Sequence, residues 1–414
     1  MYDLLIVGGG AAGMMAAVQA GRRGLRVLLA EKGEKTGRKL LITGKGRCNV
    51  TSAVPPSELM GNIPRNPRFL YSAFSRFNNE DTIRFFESAG VPLKTERGAR
   101  VFPQSDKASD IRDALMREMK KAEVSLVTGE VSELLLEDSK VTGARFADGR
   151  ETEASAVLLA TGGASYPTTG SDGGGYKLAE AAGHTIVPPA PSLIPMLTAE
   201  KDPRDMMGLS LKNVRLTLLE NGKAVYSELG EMLFTHFGVS GPLVLSASAH
   251  IPALGKKKYT LSIDLKPGLT PEQLDKRLLR DFSENLNRDA INAFGALLPR
   301  KMIPAALKRA GIPFDQKVRD ITHEEREALL RTLKGFTLTV TGFRPVEEAI
   351  VTRGGVSVKE VDPKTMASKK ADGLYFAGEI LDVDGYTGGF NLTIAFSTAF
   401  AAAEAVAERV KANG

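Results

Sequence analysis

The sequence predicts an α/β protein in which a doubly wound, Rossmann-like parallel-sheet domain is interrupted by a β-rich and then a helical insertion. Three observations carry this. An apolar strand, Gly-rich turn and small-residue helix open the chain and lead at once to a second apolar strand. A further buried strand at 156–159 ends in Ala160-Thr161-Gly162-Gly163, and another at 374–377 ends in Gly378-Glu379. Between them lie stretches with the alternation of strands and then the spacing of helices.

Taken in order, Leu4-Leu5-Ile6-Val7 reads as a fully buried strand, 8–13 as a turn, 11–20 as a helix closed by Gly21, and 27–30 as a parallel strand ending in Glu31. Asn66-Pro67 and Asn79 read as helix starts, with Pro67 at a first helical position and Gly90 near a stop. Residues 124–153 alternate apolar and polar, with turns at Asp138-Ser139 and Asp148-Gly149, which predicts a small antiparallel sheet. Pro188-Pro189-Ala190-Pro191 predicts a stiff exit from the first domain. Residues 192–266 read as β-rich, with Asn221-Gly222 as a hairpin turn, and 271–331 as helical. A long Ala-rich helix closes the chain. The expected boundaries are 1–190, 191–266, 267–335 and 336–414, the first and last forming one discontinuous domain.

Composition is that of an ordinary globular protein, 43% hydrophobic and 25% charged. No run is read as approaching the roughly 18 apolar residues needed to span a bilayer, and the start lacks a signal peptide's basic region, so a soluble, cytoplasmic protein without membrane association is expected. Cys48 is the single cysteine, which leaves no intrachain disulfide or multi-cysteine metal site, and His184, His236, His250 and His323 are scattered, so no metal is expected. Net charge is +6. Arg65/Arg68, Lys94/Arg97/Arg100 and Lys256-Lys257-Lys258 form either a cationic face for phosphates or RNA, or a solvated surface.

Gly8-x-Gly10-x-x-Gly13 follows a strand and opens a helix, so the backbone N–H groups of Ala11, Ala12 and Gly13 face a dinucleotide pyrophosphate. Glu31 ends the second strand 18 residues after Gly13, where a carboxylate accepts from a ribose diol. FAD is favoured over NAD because a second strand–Gly–acid element, Gly378-Glu379, stands at the other end of the chain. Beyond it, Gly385, Gly388 and Gly389 let backbone approach a ring, and Asn391 is expected to cap a helix whose positive end faces the flavin's N1/O2 edge. A third segment, Gly37-Arg38-Lys39-Leu40 through Gly44-Lys45-Gly46-Arg47-Cys48-Asn49-Val50-Thr51, is a Gly-punctuated basic loop suited to a flat, anionic ring. Cys48, beside Arg47 and Lys45, is either a thiol of lowered pKa able to donate a proton or a small buried hydrophobe.

Together these segments resemble the BaiN/RdsA family of NAD(P)/FAD-dependent flavoproteins over nearly the whole chain. The likeness rests on the Gly-Arg-Lys and Gly-Lys-Gly-Arg-Cys-Asn-Val-Thr run, Ala160–Gly163 with Tyr166-Pro167, 235–242 (Thr-His-Phe-Gly-Val-Ser-Gly-Pro), and 378–391 with Asp382-Val383-Asp384-Gly385. Gly44-Lys45-Gly46 and 392–396 depart from the family pattern, the latter lacking a Trp. The resemblance implies a doubly wound FAD-binding domain, a β-barrel-like insert and a helical cap. The expected FAD contacts extend to Lys32, Arg38, Lys39, Gly44, Gly46, Asn49, Val131, Thr161, Gly162, Phe390 and Leu392. His236 is either a proton donor or orienter over the flavin, or a structural histidine. The segment 170–179 looks like the Thr-Gly-Asp-Gly turn of fumarate-reductase-type flavoproteins and reads as structural.

The expected reaction is reduction of a carbon–carbon double bond conjugated to a carbonyl, with NADH or NADPH as donor and Arg47 or His236 stabilising the enolate oxygen. Family members are linked to two such substrates, a small-molecule enone (3-oxo-Δ4,6 bile acids) and a uridine of large-subunit ribosomal RNA. The bile acid is the leading substrate. Dihydrouridine synthesis on ribosomal RNA and amine oxidation are the alternatives, and a non-enzymatic RNA-binding role is the remaining one.

Overall fold

The computed structural model describes residues 1–252, 254–255 and 257–413; Lys256 of the basic run lies outside them. The chain divides into two compact units, Met1–Ser192 with Val346–Gly414, and Leu193–Pro345.

The first unit is built on a parallel sheet. Its central strand β1 (Leu4–Val7) pairs with β2 (Val27–Glu31) on one side and with Val157–Leu159 on the other; Leu374–Phe376 and Ser125–Thr128 form the two edges. All four β1 side chains are buried, as a strand covered on both faces requires. Helix α1 (Ala11–Gly21) joins β1 to β2 and packs against the final helix, Phe390–Asn413. Alanines at 399, 401, 402 and 403 are fully buried there, and their small side chains allow close helix packing. Contrary to the expectation from hydropathy, Phe390–Ala412 is long and apolar enough to cross a membrane by length and composition; 78% of its apolar window is buried within the protein, which identifies it as a core helix.

Val131–Glu137, Lys140–Phe146 and Glu151–Glu153 form the predicted antiparallel sheet, but Ser125–Thr128, assigned to it from alternation, joins the parallel sheet beside β2. The Pro-rich stretch is not a free linker. It forms the strand Ile186–Ser192, paired antiparallel with Val351–Val356, and Pro188 and Pro189 fall in the register shift between Val187 and Ala190, where the ladder needs no N–H donor. The helix expected from Asn79 begins there, with Asn78 as its cap. Pro67 opens a short 3-10 turn, Pro67–Leu70, ahead of the helix Tyr71–Arg76.

In the second unit six strands close into a barrel: Met196–Thr198, Gly238–Ser240, Lys223–Phe234, Ser210–Glu220, Tyr259–Asp264 and Phe336–Phe343, which returns to pair with the first. Asn221 and Gly222 turn the long hairpin with φ of 48° and 83°, the left-handed pair a tight turn demands. Two expected boundaries shift. Phe336–Phe343, expected in the nucleotide-binding domain, pairs with Tyr259–Asp264 and seals the barrel, so the unit ends at Pro345. The helices Pro271–Ser283, Ile303–Ala310 and His323–Lys334 share one hydrophobic core with the barrel through Leu274, Leu278, Leu307, Leu329 and Leu333, and are not a separate cap domain.

Phe336 is fully buried in that core, edge-on to Phe234 with ring centroids 6.4 Å apart. Phe336→Ala is expected to cost about 3–5 kcal/mol in urea unfolding of the second unit; a loss below about 1 kcal/mol would show that the barrel core can collapse around the cavity.

Candidate functional site

The candidate site lies in the first unit, at the carboxyl ends of its parallel strands, where open α/β sheets place ligands. Gly8 turns the chain out of β1 with φ of +105°, and a Cβ there would stand 2.6 Å from the Ala160 carbonyl oxygen. Gly13 is tighter still: its Cβ would stand 1.9 Å from the Gly8 carbonyl oxygen. Beyond Gly10 there is open space, and among the described residues no side chain caps α1 and no acid occupies its first turn. The helix therefore offers bare N–H groups, here those of Ala11 and Ala12, to an anion. Glu31 is fixed beside this turn, its two oxygens accepting from the Gly9 N–H (2.8 Å) and the Gly33 N–H (2.7 Å).

Gly378 closes the other half of the cradle. With φ of +77° and a Cβ that would meet Ala12 Cβ at 2.8 Å, it brings the second Gly–acid turn onto the start of α1. Its N–H donates to Thr398 Oγ1 (2.9 Å) of the final helix. Glu379 and Lys39, 340 positions apart, form an ion pair of 2.6 Å. Ser165 and the Thr352 N–H donate to the remaining Glu379 oxygen at 3.0 and 2.8 Å. Gly389 (φ +99°) comes so close to Thr51 that a Cβ would stand 2.4 Å from its carbonyl, and Thr51 Oγ1 and Thr393 Oγ1 lie 2.8 Å apart. The basic loop and the start of the final helix are thus locked together.

Within the loop, Gly44, Lys45, Gly46 and Cys48 all have left-handed φ. At Lys45 and Cys48 this conformation is costly and is held by the surrounding structure. The buried Asn49 Oδ1 and Thr161 Oγ1 have no hydrogen-bond partner among the described residues, the state of acceptors that a ligand satisfies. Gly162 (φ +77°) stands beside Thr161, and Val131 is buried at the start of its strand. Phe390 is buried and Leu392 half-buried in the first turn of the final helix. Lys32 pairs with Asp172 (2.7 Å), and Arg38 donates to the Thr168 carbonyl (2.5 Å). The turn containing Asp172 leads into the helix Gly174–Ala181.

Three expectations need correction, and one open alternative is decided. Burial pushes the Cys48 thiol up to about 12, not down, because a thiolate in that apolar setting would lose its hydration; Cys48 is the buried hydrophobe of the two readings. Arg47 is not a free cation facing a ring or an oxyanion. It is shared between Glu96 and Asp106 and stacks over Phe102 with 4.2 Å to the ring centroid. Asn391 does not cap the final helix, which already starts at Phe390; its amide clamps Gly385, accepting from the Gly385 N–H (2.9 Å) and donating to the Gly385 carbonyl (2.8 Å). The Lys94/Arg97/Arg100 cluster is no bare cationic face, since Lys94 is paired with Asp106 (2.7 Å). His236 belongs to the second unit, exposed on the turn before Gly238–Ser240, its ring edge-on to Phe237 with centroids 5.0 Å apart.

Sequence reading missed Thr51–Thr393 and the Ser165 and Thr352 contacts to Glu379, whose partners lie too far apart in the chain for spacing to reveal them. A strand-end turn with an uncapped helix, a carboxylate on the second strand and a second Gly–acid turn define a Rossmann-type dinucleotide-binding protein. Residues 2–405 match the model of the HI0933-like protein Rossmann domain, and the chain belongs to that family. It is 34% identical, over 99% of its length and 100% of the relative's, to a 3-dehydro-bile acid delta(4,6)-reductase of Clostridium scindens. It is 32% identical to a ribosomal RNA dihydrouridine synthase of Escherichia coli, over 97% of both chains. Among solved structures, the 3-ketosteroid delta1-dehydrogenase of Sterolibacterium denitrificans matches with a TM-score of 0.51 at 14% identity, covering 99% of both chains, a likeness of fold.

The raised Cys48 value fixes a sign. The neutral thiol is the folded form, so its contribution to stability is fully present below the ordinary value of 9.0 and is lost as pH rises from there toward about 12. Denaturant unfolding between pH 8 and 11 should show wild type losing more stability than Cys48→Ala, and native Cys48 should resist iodoacetamide at pH 8 until urea is added. Rapid alkylation of the folded protein would contradict the buried, neutral thiol.

Proposed function

We propose that the chain is an FAD-dependent oxidoreductase that reduces a carbon–carbon double bond conjugated to a carbonyl. The observation that carries this is the meeting of the two Gly–acid turns: Gly378 lies against Ala12 at the start of α1, and Gly389, eleven positions on, lies against Thr51 of the basic loop, so glycine backbone stands at both ends of the proposed cradle. Such a cradle suits a long dinucleotide ending in a flat ring. Ala11 and Ala12 would hold the pyrophosphate, Glu31 the adenosine ribose, and Asn49 and the Gly388-Gly389 backbone the ring.

Bound FAD, once reduced by NAD(P)H, would supply a hydride to the β carbon of the substrate, leaving the protein to orient the enone and deliver a proton to the α carbon. Of the three side chains proposed for that work, Arg47 is consumed by two carboxylates and Cys48 is buried and poorly acidic. His236 keeps an exposed ring and remains the proposed proton donor or orienter. NADH or NADPH is the proposed electron donor, entering transiently, since the sequence holds no second Gly-x-Gly-x-x-Gly motif.

A 3-oxo-Δ4,6 bile acid is the leading substrate, supported by the full-length relative named for that activity. One observation favours ribosomal RNA as the second reading. The first unit has equal numbers of acidic and basic residues, so the whole +6 excess falls on Leu193–Pro345, a bias suited to a polyanion.

The test is anaerobic: reduce the flavin-loaded protein with NADPH or NADH, then follow reoxidation on adding the bile acid, an unmodified ribosomal RNA fragment or an amine control. Rapid reoxidation by the steroid is expected; by RNA instead, it selects the second reading. If neither reoxidises the flavin while an amine reduces it and oxygen turns it over, double-bond reduction fails and amine oxidation replaces it.

A further inference from the structure

Beneath the turn proposed to receive the flavin ring lies a buried group of charges that the reaction above does not use. Asp384 and Asp382 are nearly inaccessible to solvent, as is Arg353, and Arg65 lies beside them. Asp384 Oδ2 accepts from Ser192 Oγ (2.8 Å), while Asp384 Oδ1 faces Arg65 Nε at 3.3 Å. Neither of these facing atoms makes a hydrogen bond among the described residues, so the pair is held by charge and not by hydrogen-bond geometry. Burial pushes the Asp384 carboxyl up, and Ser192, Arg65 and Arg353 oppose that. Asp384 is buried while Arg65 stays about one third exposed, and such a pair adds little net stability of its own.

Asp384 immediately precedes Gly385, whose N–H and carbonyl are both clamped by Asn391. The segment carrying Arg65 is tied to the same turn at three further points. The Tyr386 N–H donates to the Asn62 carbonyl (3.0 Å). Asn66 Nδ2 donates to the Asp382 carbonyl (2.6 Å) and to its carboxylate (3.1 Å). A Cβ on Gly385 would stand 3.0 Å from Ile63 Cδ1. Asn66 adopts a left-handed φ of 50°, an uncommon conformation that these bonds maintain. Asp382 also accepts from the Gly354 N–H (3.1 Å), which fixes the turn to the Val351–Val356 strand.

We propose that Arg65 and Asp384 are positioning residues for the cofactor: their ion pair clamps 62–66 onto 382–386 and so sets the backbone of Gly388 and Gly389 that receives the flavin ring. This rests on the FAD reading. Neither side chain touches the substrate, and both act through the turn.

The test compares wild type with Asp384→Asn, Arg65→Lys and the double variant Arg65→Met/Asp384→Asn. Each is measured for FAD affinity, for the visible spectrum and midpoint potential of bound flavin, and, without flavin, for thermal unfolding. Asp384→Asn should weaken FAD binding by roughly tenfold and shift the spectrum, as loss of a charged partner does. Arg65→Lys should recover most of the affinity. The double variant removes both charges and should unfold like wild type without flavin, yet still bind FAD weakly with a shifted potential. If its affinity and spectrum return with its stability, the pair is merely structural and the inference is overturned. Unchanged binding in Asp384→Asn also overturns it. Wild type that binds no FAD would instead sink the FAD reading itself.

Discussion

Helix α1 can approach the end of β1 only because neither Gly8 nor Gly13 bears a side chain: the Cβ of any other residue at 13 would overlap the Gly8 carbonyl. The rest of the site depends on that approach. It aims the uncapped N-terminus of α1 across the strand ends, places Gly9 where its N–H fixes Glu31, and leaves Ala12 as the floor against which Gly378 packs. The long final helix, laid against α1 by its alanines, carries Thr398 to the Gly378 N–H and Thr393 to Thr51. One steric constraint at two glycines is thereby passed to both ends of the cradle. Helix α1 is accordingly rich in Ala and Gly, and apart from Gln19 it carries no polar side chain, so it is buried along most of its length and not amphipathic.

Much of this was legible because it is local. A Gly-x-Gly-x-x-Gly run after four apolar residues specifies a turn and a helix start within ten positions, and Asn221-Gly222 specifies a hairpin by turn chemistry alone. What failed depended on contacts distant in sequence. Cys48 beside Arg47 and Lys45 looks like an activated thiol, but Arg47 is claimed by Glu96 and Asp106, 49 and 59 positions away, and the loop's left-handed residues carry the thiol inward. Asn391 has the composition of a cap and sits one residue inside the helix, and its amide finds Gly385 instead. The strand Phe336–Phe343 follows a helical stretch and precedes the nucleotide-binding unit, and its alternation does not say which sheet it will join; the barrel's open edge decides that.

A flavoprotein that reduces enones needs a proton source and a donor to the enolate oxygen, and of the three side chains expected to serve, Cys48 is buried and Arg47 is ion-paired. The ion pairs Arg65 with Asp384 and Lys39 with Glu379 each join segments more than 300 positions apart in the chain, and only Asp384 among the four is fully buried. The excess positive charge resides in the second unit.

The central claim is that both Gly–acid turns hold one FAD, and a crystal structure of the FAD-loaded chain tests it most directly. The account predicts the pyrophosphate at the N-terminus of α1, the adenosine ribose on Glu31, and the isoalloxazine ring against Asn49 and the Gly388-Gly389 backbone. A ring placed elsewhere, or an adenine nucleotide bound at Gly8–Gly13 with nothing against Gly388-Gly389, would contradict it.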